Sequence, residues 1–172
     1  NNNGQYDRFL WDAKNGTSAG APVPGTLVLN AGTLATAFRG SDWQATDEKI
    51  EISQTTLTDP ALNGGVSTKV IKVSYMGQTK EFFNVGAIEV DFGAGNDILV
   101  VNKSVEVNVT ARGGDGSDDL RYLGKGIATL YGGNGNDVLM GSTGADFLYG
   151  DAGDDLIDAA AGNDTVEGGA DN

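Results

Sequence analysis

Residues 132–167 read Gly132-Gly-Asn-Gly-Asn-Asp-Val-Leu-Met140, Gly141-Ser-Thr-Gly-Ala-Asp-Phe-Leu-Tyr149, Gly150-Asp-Ala-Gly-Asp-Asp-Leu-Ile-Asp158 and Ala159-Ala-Ala-Gly-Asn-Asp-Thr-Val-Glu167. Two separate copies precede them, Phe92-Gly-Ala-Gly-Asn-Asp-Ile-Leu-Val100 and Gly113-Gly-Asp-Gly-Ser-Asp-Asp-Leu-Arg121. In all six copies the fourth position is Gly, the sixth is Asp, and the eighth is Leu, Ile or Val. A fixed period of this kind indicates a repeat fold in which each unit packs on its neighbours.

Each residue type suits a tight turn followed by a short strand. Glycine permits positive φ and close backbone approach, so the first six positions can form the turn. The last three positions form a strand whose middle residue points inward, and two units bring the chain back to the same edge about 4.8 Å away. The sequence therefore predicts an all-β fold, a right-handed parallel β-roll, with these inward residues: Leu99, Leu120, Leu139, Leu148, Ile157 and Val166.

The sixth-position aspartates of this roll should stack in columns. Asp137 and Asp155 would lie on one edge, and Asp146 and Asp164 on the other. Two carboxylates about 5 Å apart repel by roughly 3 kcal/mol at an effective dielectric constant near 20, so a bound dication would stabilise the stack. Carboxylate and carbonyl oxygens favour Ca²⁺, and the chain has no Cys or His to hold a softer metal. The predicted side-chain ligands are Asp97, Asp118, Asp137, Asp146, Asp155 and Asp164.

The repeat has the pattern G-G-x-G-x-D-x-U-x. Over residues 92–172 the chain resembles the RTX, or haemolysin-type calcium-binding, family on the six copies quoted above. The resemblance implies several Ca²⁺ ions, each held between turns eighteen residues apart by the sixth-position Asp and by backbone carbonyls of the Gly-rich turn. The carbonyl candidates are Gly113, Asp115, Gly132, Gly133, Asn134, Gly135, Gly141, Thr143, Gly150, Asp151, Ala152, Gly153, Ala160 and Gly162.

The two edges of the predicted roll differ in sequence. On the first edge every turn ends in Asp, at 93–97, 113–118, 132–137 and 150–155. On the second edge the turns at 102–104 and 123–126 contain Lys103 and Lys125 and no sixth-position Asp. One hypothesis is that this upper part of the second edge binds no calcium and that Lys125 caps the ion stack. The alternative is that both lysines are simply solvated.

The chain before the repeat differs in composition and predicts a different role. Residues 1–25 are predicted to be a mobile arm or linker, 26–91 a β-rich capping segment, and 92–172 the roll. A hairpin is expected at Met76-Gly77 and a turn at Asn63-Gly64-Gly65. The candidate strands before the roll are Thr26–Leu29, Gly32–Phe38, Lys49–Ser53, Lys69–Tyr75, Lys80–Val85 and Ala87–Phe92.

Composition excludes several function classes. Without Cys or His, disulfides and His-dependent catalysis are ruled out, and the net charge of −13 disfavours nucleic acid and anionic membranes as partners. No apolar run is long enough for a membrane span. Gly16-Thr17-Ser18-Ala19-Gly20 matches a nucleophile elbow but lacks the flanking strand and helix and the histidine partner, so no enzyme is predicted.

These observations favour a non-catalytic calcium-binding module, part of a larger polypeptide. The resemblance implies a secreted bacterial protein that type I secretion machinery exports unfolded and that folds on extracellular Ca²⁺. The expected location is therefore extracellular or at the cell surface. Two alternatives stay open: an adhesion or surface-layer spacer module, and the secretion tail of an extracellular enzyme whose catalytic domain lies elsewhere.

Overall fold

The computed structural model describes residues 12–14, 25–30, 47–59, 66–75 and 77–170. Every regular element within these ranges is a β-strand, which confirms the all-β prediction. Three features predicted from the sequence lie outside the described residues: the strand at 32–38, the turn at 63–65 and the loop at 16–20.

The described strands form two sheets, called S1 and S2 here. In spatial order, S1 contains β1 (Asp12–Lys14), β2 (Gly25–Asn30), β6 (Val85–Ala94), β8 (Asn108–Asp115), β10 (Ala128–Asn134), β12 (Phe147–Ala152) and β14 (Thr165–Glu167). In the same way, S2 contains β13 (Leu156–Asp158), β11 (Val138–Met140), β9 (Asp119–Tyr122), β7 (Ile98–Val101), β3 (Lys49–Asp59), β4 (Val66–Tyr75) and β5 (Gln78–Phe83).

From β6 onward the chain alternates between the two sheets, and neighbouring strands within each sheet are parallel. In S2, Leu120 pairs with Leu99 on one side and with Leu139 on the other, and Leu139 pairs with Ile157. In S1, β10 lies between β8 and β12 in the same parallel sense. The strands therefore stack as a β-solenoid of about four turns, as the nine-residue period predicts. We call the turns from S1 to S2 the first edge and those from S2 to S1 the second edge.

The solenoid extends into the segment before the repeat. Strand β2 pairs in parallel with β6, and β3 pairs in parallel with β7, so they add a further coil. Strands β4 and β5 then widen S2 by antiparallel pairing, with the predicted hairpin joining Tyr75 to Gln78. Strand β1 pairs antiparallel with β2. The predicted boundary between the capping segment and the roll, at residues 91 and 92, falls inside strand β6. The division into an arm, a capping segment and a roll stays a prediction.

The core lies between the sheets and follows the predicted inward column. Leu99, Leu120, Leu139 and Leu148 are completely buried, and each such side chain contributes about 1.5–3 kcal/mol to stability. Ile157 is half-buried against them, whereas Val166 on β14 is 48 % exposed because its strand has a neighbour on one side only.

Candidate functional site

The first edge carries a column of carboxylates, which we call the aspartate ladder: the buried Asp97, Asp118 and Asp137 and the partly buried Asp155. The first three side chains are each about 1 % exposed. The Oδ1 atom of each ladder residue accepts a hydrogen bond from a backbone N–H one coil earlier. The amide of Asp97 donates to Asp118 (2.8 Å), the amide of Asp118 donates to Asp137 (2.8 Å), and the amide of Asp137 donates to Asp155 (2.9 Å). The stack that the sequence predicted is therefore present, and backbone donors offset part of its repulsion.

The second carboxylate oxygen of the ladder is not satisfied in this way. The Oδ2 atoms of Asp97, Asp118 and Asp137 are buried and have no hydrogen-bond partner among the described residues. A buried polar group without a partner costs about 1–3 kcal/mol, and more when it is charged. Such orphaned oxygens indicate a ligand that the protein's own donors do not replace.

Glycine at the first position of each turn brings a carbonyl close to this oxygen. A Cβ on Gly113 would lie 2.6 Å from the carbonyl oxygen of Gly132 and closer still to Asp118 Oδ2. A Cβ on Gly132 would lie 2.7 Å from the carbonyl oxygen of Gly150 and closer still to Asp137 Oδ2. In both turns a carboxylate oxygen and a carbonyl from the next coil face the same small volume. Hard oxygen ligands in this arrangement fit Ca²⁺.

Burial also shifts the titration of the ladder. Burial, with smaller contributions from the charges of Asp97 and Asp137, raises the pKa of Asp118 to about 6, although the hydrogen bond from the amide of Asp97 lowers it. Burial likewise raises the pKa of Asp97, with a contribution from Asp47, and the pKa of Asp137, with a contribution from Asp155. The fold thus holds carboxylates in a setting that disfavours their charge, and a dication would reverse that preference.

The predicted carbonyl ligands occupy distinct places in the turns. Gly113, Gly132, Gly150 and, on the second edge, Gly141 lie beside the carboxylate of their own turn. The carbonyls of Asp115, Asn134 and Ala152 accept backbone hydrogen bonds from Gly95, Gly116 and Gly135. A carbonyl has a second lone pair, so these oxygens can still act as ligands. Of the remaining candidates, Thr143 is exposed, and the others have a positive backbone φ: Gly133, Gly135, Asp151, Gly153, Ala160 and Gly162.

On the second edge, Asp146 is also buried but its carboxylate is fully hydrogen-bonded. Its Oδ1 accepts the amide of Ala128 at 2.8 Å. Its Oδ2 accepts the amide of Ser142 at 2.6 Å and the Ser142 hydroxyl at 3.1 Å. Asp164 accepts the amide of Asp146 at 2.9 Å, so these two stack as predicted. The same motif position therefore has different surroundings on the two edges.

Above Asp146, a tyrosine occupies the turn that has no motif aspartate. Ala128 and Val109 stand in register with Asp146. The completely buried Tyr122 places its hydroxyl in this turn, where it accepts the amide of Gly126 at 2.7 Å and donates to the carbonyl of Val107 at 3.1 Å. Burial raises the pKa of Tyr122 to about 12, so the hydroxyl stays protonated.

The lysine expected to cap an ion stack has another contact. The Nζ of Lys125 lies 3.2 Å from Oε1 of Glu106, at an exposed position. Lys69 contacts the same carboxylate, and the two ammonium groups lower the pKa of Glu106. Lys125 thus forms a surface ion pair, which is nearer to the solvated alternative than to a cap.

Sequence reasoning missed one rung of the ladder. The amide of Glu48 donates to Asp97 Oδ1 at 2.7 Å, and the amide of Asn96 donates to Asp47 Oδ1 at 2.9 Å. Glu48 therefore stands one coil above Asp97, with Ile50 paired to Leu99. The sequence signal for this rung is an acidic residue followed, two residues later, by an aliphatic core residue, as in Asp97 and Leu99. It was hidden by the 49 residues that separate the two rungs.

Two kinds of feature are absent from the described residues. No group of three or more His, Cys, Asp or Glu side chains is gathered around a common metal position there. No helix in the described ranges has the length and hydropathy of a membrane span.

One known protein family matches the part of the chain that contains the four contiguous repeats. The family of the RTX calcium-binding nonapeptide repeat (4 copies) matches residues 131–166. No curated protein and no solved structure matched the chain. The matched segment spans turns on both edges of the roll. Residues 131–166 are therefore RTX calcium-binding nonapeptide repeats, which form a calcium-binding structural module.

Proposed function

We propose that this chain is a non-catalytic calcium-binding module that folds when it meets extracellular Ca²⁺. The observation that carries the proposal is the pair of buried, unpartnered Oδ2 atoms of Asp118 and Asp137, each facing a carbonyl of the next coil. RTX repeats occur in secreted bacterial proteins, which supports an extracellular location.

The first edge would supply the ligands. Asp118 would bind an ion together with the carbonyl of Gly132, and Asp137 together with the carbonyl of Gly150. When bound, Ca²⁺ supplies positive charge between the coils. From the sequence, the other sixth-position aspartates and the turn carbonyls are also predicted ligands.

Ligand linkage gives the mechanism of folding. An ion that binds only the folded chain stabilises it by about 2.7 kcal/mol per site at a hundredfold excess over Kd. Extracellular calcium modules bind with Kd values of about 10⁻⁴–10⁻³ M. In calcium-poor cytosol the acidic repeats would stay unfolded, which suits export through type I secretion machinery. At millimolar calcium outside the cell they would fold by stacking coil on coil.

The test is a calcium titration of the whole chain, followed by circular dichroism after removal of calcium with a chelator. We expect the β signal to be lost in chelator and recovered cooperatively as calcium is added. A β signal that is the same with chelator and with millimolar calcium would refute the proposal.

A matched pair of variants locates the effect. Asp118→Asn removes the charge of a ladder residue, and we expect a clear loss of bound calcium. Asp119→Asn makes the same chemical change one residue later, where the carboxylate forms an ion pair with Arg121 at 2.6 Å on the outer face. We expect this control to bind as many ions as the wild type. Equal losses in both variants would show that total charge, rather than the ladder, controls binding.

A further inference from the structure

Tyr122 fills its turn in the way that a motif aspartate fills the others. A Cβ added to Gly124 would lie 2.6 Å from the Tyr122 hydroxyl oxygen. In a first-edge turn, a Cβ added to Gly113, one repeat position earlier than Gly124, would meet Asp118 Oδ2. The hydroxyl has both a donor, the amide of Gly126, and an acceptor, the carbonyl of Val107. This turn is therefore closed by a neutral group whose hydrogen bonds are satisfied.

The next turn is closed by a charged group that is also satisfied. Asp146 receives three donors: the amide of Ala128, and the amide and hydroxyl of Ser142. Ser142 stands at the second position of its repeat, where the first-edge turns have Gly114 and Gly133. The Ser142 hydroxyl also accepts the amide of Gly144 at 3.2 Å, which fixes its position.

An ion at these turns would have to break contacts that the ladder does not make. To bind Asp146 Oδ2, it would displace the Ser142 amide and hydroxyl. To enter the turn above, it would displace the buried Tyr122 hydroxyl from the carbonyl of Val107. On the first edge, Asp118 Oδ2 and Asp137 Oδ2 have no donors to lose.

We propose that Tyr122 and Ser142 determine which turns of this roll take calcium, by closing the second-edge turns 123–128 and 141–146 with protein donors. This inference rests on the proposed function, since it assigns the ions of the same module to one edge. Calcium then binds along the first edge, while this part of the second edge is held by hydrogen bonds that do not depend on ions. Asp146 is a structural residue there, although it occupies the motif position of a ligand.

The experiment compares three variants of the full chain by the number of bound ions and by the slope of melting temperature against log calcium concentration. That slope reports the ions taken up on folding. We expect Asp137→Asn to lose at least one ion and to lower the slope. Asp146→Asn should keep both the wild-type ion count and the wild-type slope, even if its melting temperature falls.

Tyr122→Phe keeps the buried ring and removes only the hydroxyl. It should lower the melting temperature by the same amount at every calcium concentration and leave the ion count unchanged. It also keeps the inference testable if Asp146→Asn does not fold.

The outcomes separate the two proposals. A full ion count in Asp137→Asn would overturn the proposed function. A lost ion in Asp146→Asn, or a calcium-dependent effect of Tyr122→Phe, would overturn this inference and leave the proposed function standing.

Discussion

Asp137 on the first edge and Asp146 on the second occupy the same position of adjacent repeats, yet the fold treats them differently. Each accepts a backbone amide at Oδ1, from Asp118 and Ala128 respectively, but only Asp146 has donors at Oδ2. The second position of the repeat differs in both backbone and side chain: Gly133 has a φ of 115° and no side chain, whereas Ser142 is not in the positive-φ region and donates with both its amide and its hydroxyl. The Oδ2 atom of a motif aspartate can therefore lack a donor or be satisfied within its own turn.

The difference extends along the two edges. The ladder repeats one arrangement from Asp97 to Asp155, and Glu48 continues it into the coil before the motif. The second edge changes from coil to coil, from Tyr122 to Asp146 to Asp164. A uniform column of acids suits a row of ions, whereas a varied edge suits individually satisfied turns.

The largest expected effect comes from adding one methyl group to either edge. Gly132→Ala would place Cβ against Asp137 Oδ2 and within 2.7 Å of the carbonyl of Gly150, which fills the space between two oxygens. Gly141→Ala would place Cβ 2.9 Å from the carbonyl of Ala159 and 3.0 Å from Asp146 Oδ2, a milder clash. We expect a loss of about 3 kcal/mol or more for Gly132→Ala and about 1–2 kcal/mol for Gly141→Ala.

Urea unfolding at saturating calcium measures both losses, and calcium titration shows whether only Gly132→Ala loses ions. If Gly141→Ala loses as many ions as Gly132→Ala, the two edges are equivalent.

A smaller effect concerns pH. The folded-state pKa of Asp118 is about 6 and the usual value is 3.8, so between these values the folded chain holds a proton that the unfolded chain lacks. In chelator the folded state should therefore gain stability from Asp118, on the order of 1 kcal/mol, as pH falls from 7 to 5, and lose it as pH rises through 6. Circular dichroism against pH in chelator measures this.

Asp118→Asn should reduce this pH dependence by the contribution of Asp118, leaving that of Asp97 and Asp137, while Asp146→Asn should keep it in full. A chelator-treated wild type that gains no β signal at pH 5 would contradict the assignment to the ladder.

The smallest effect tests a single strained residue on the second edge. Ala160 has φ of 63°, a region that costs a residue with Cβ about 1 kcal/mol. Ala160→Gly should therefore raise the free energy of unfolding by up to about 1 kcal/mol in calcium, less the extra entropy of the unfolded chain. Thermal unfolding measures the change, with Ala161→Gly, at the neighbouring exposed position, as the control. A stability gain in the control as large as that in Ala160→Gly would show that φ strain is not the cause.

Strand positions were predictable where the motif fixes them. The last three positions of four motif copies, 98–100, 119–121, 138–140 and 156–158, lie in β7, β9, β11 and β13. Val105, Val107 and Val109 also alternate with polar residues in a pattern typical of a strand, but β8 begins only at Asn108. Val105 is buried in the turn instead, where its amide donates to the carbonyl of Asn102 at 2.9 Å, so its apolar side chain marks the core and not the strand.

The sequence alone determined the parallel stack, its inward aliphatic column and the register of its aspartates, because glycine turns and period-two strands are set by residues close together in the chain. Only the tertiary structure decided which carboxylate oxygens have donors. The amide of Ala128 reaches Asp146 from eighteen residues away, and that of Glu48 reaches Asp97 from forty-nine. Hydrogen bonds between coils depend on which backbones lie side by side, and a nine-residue pattern does not record that.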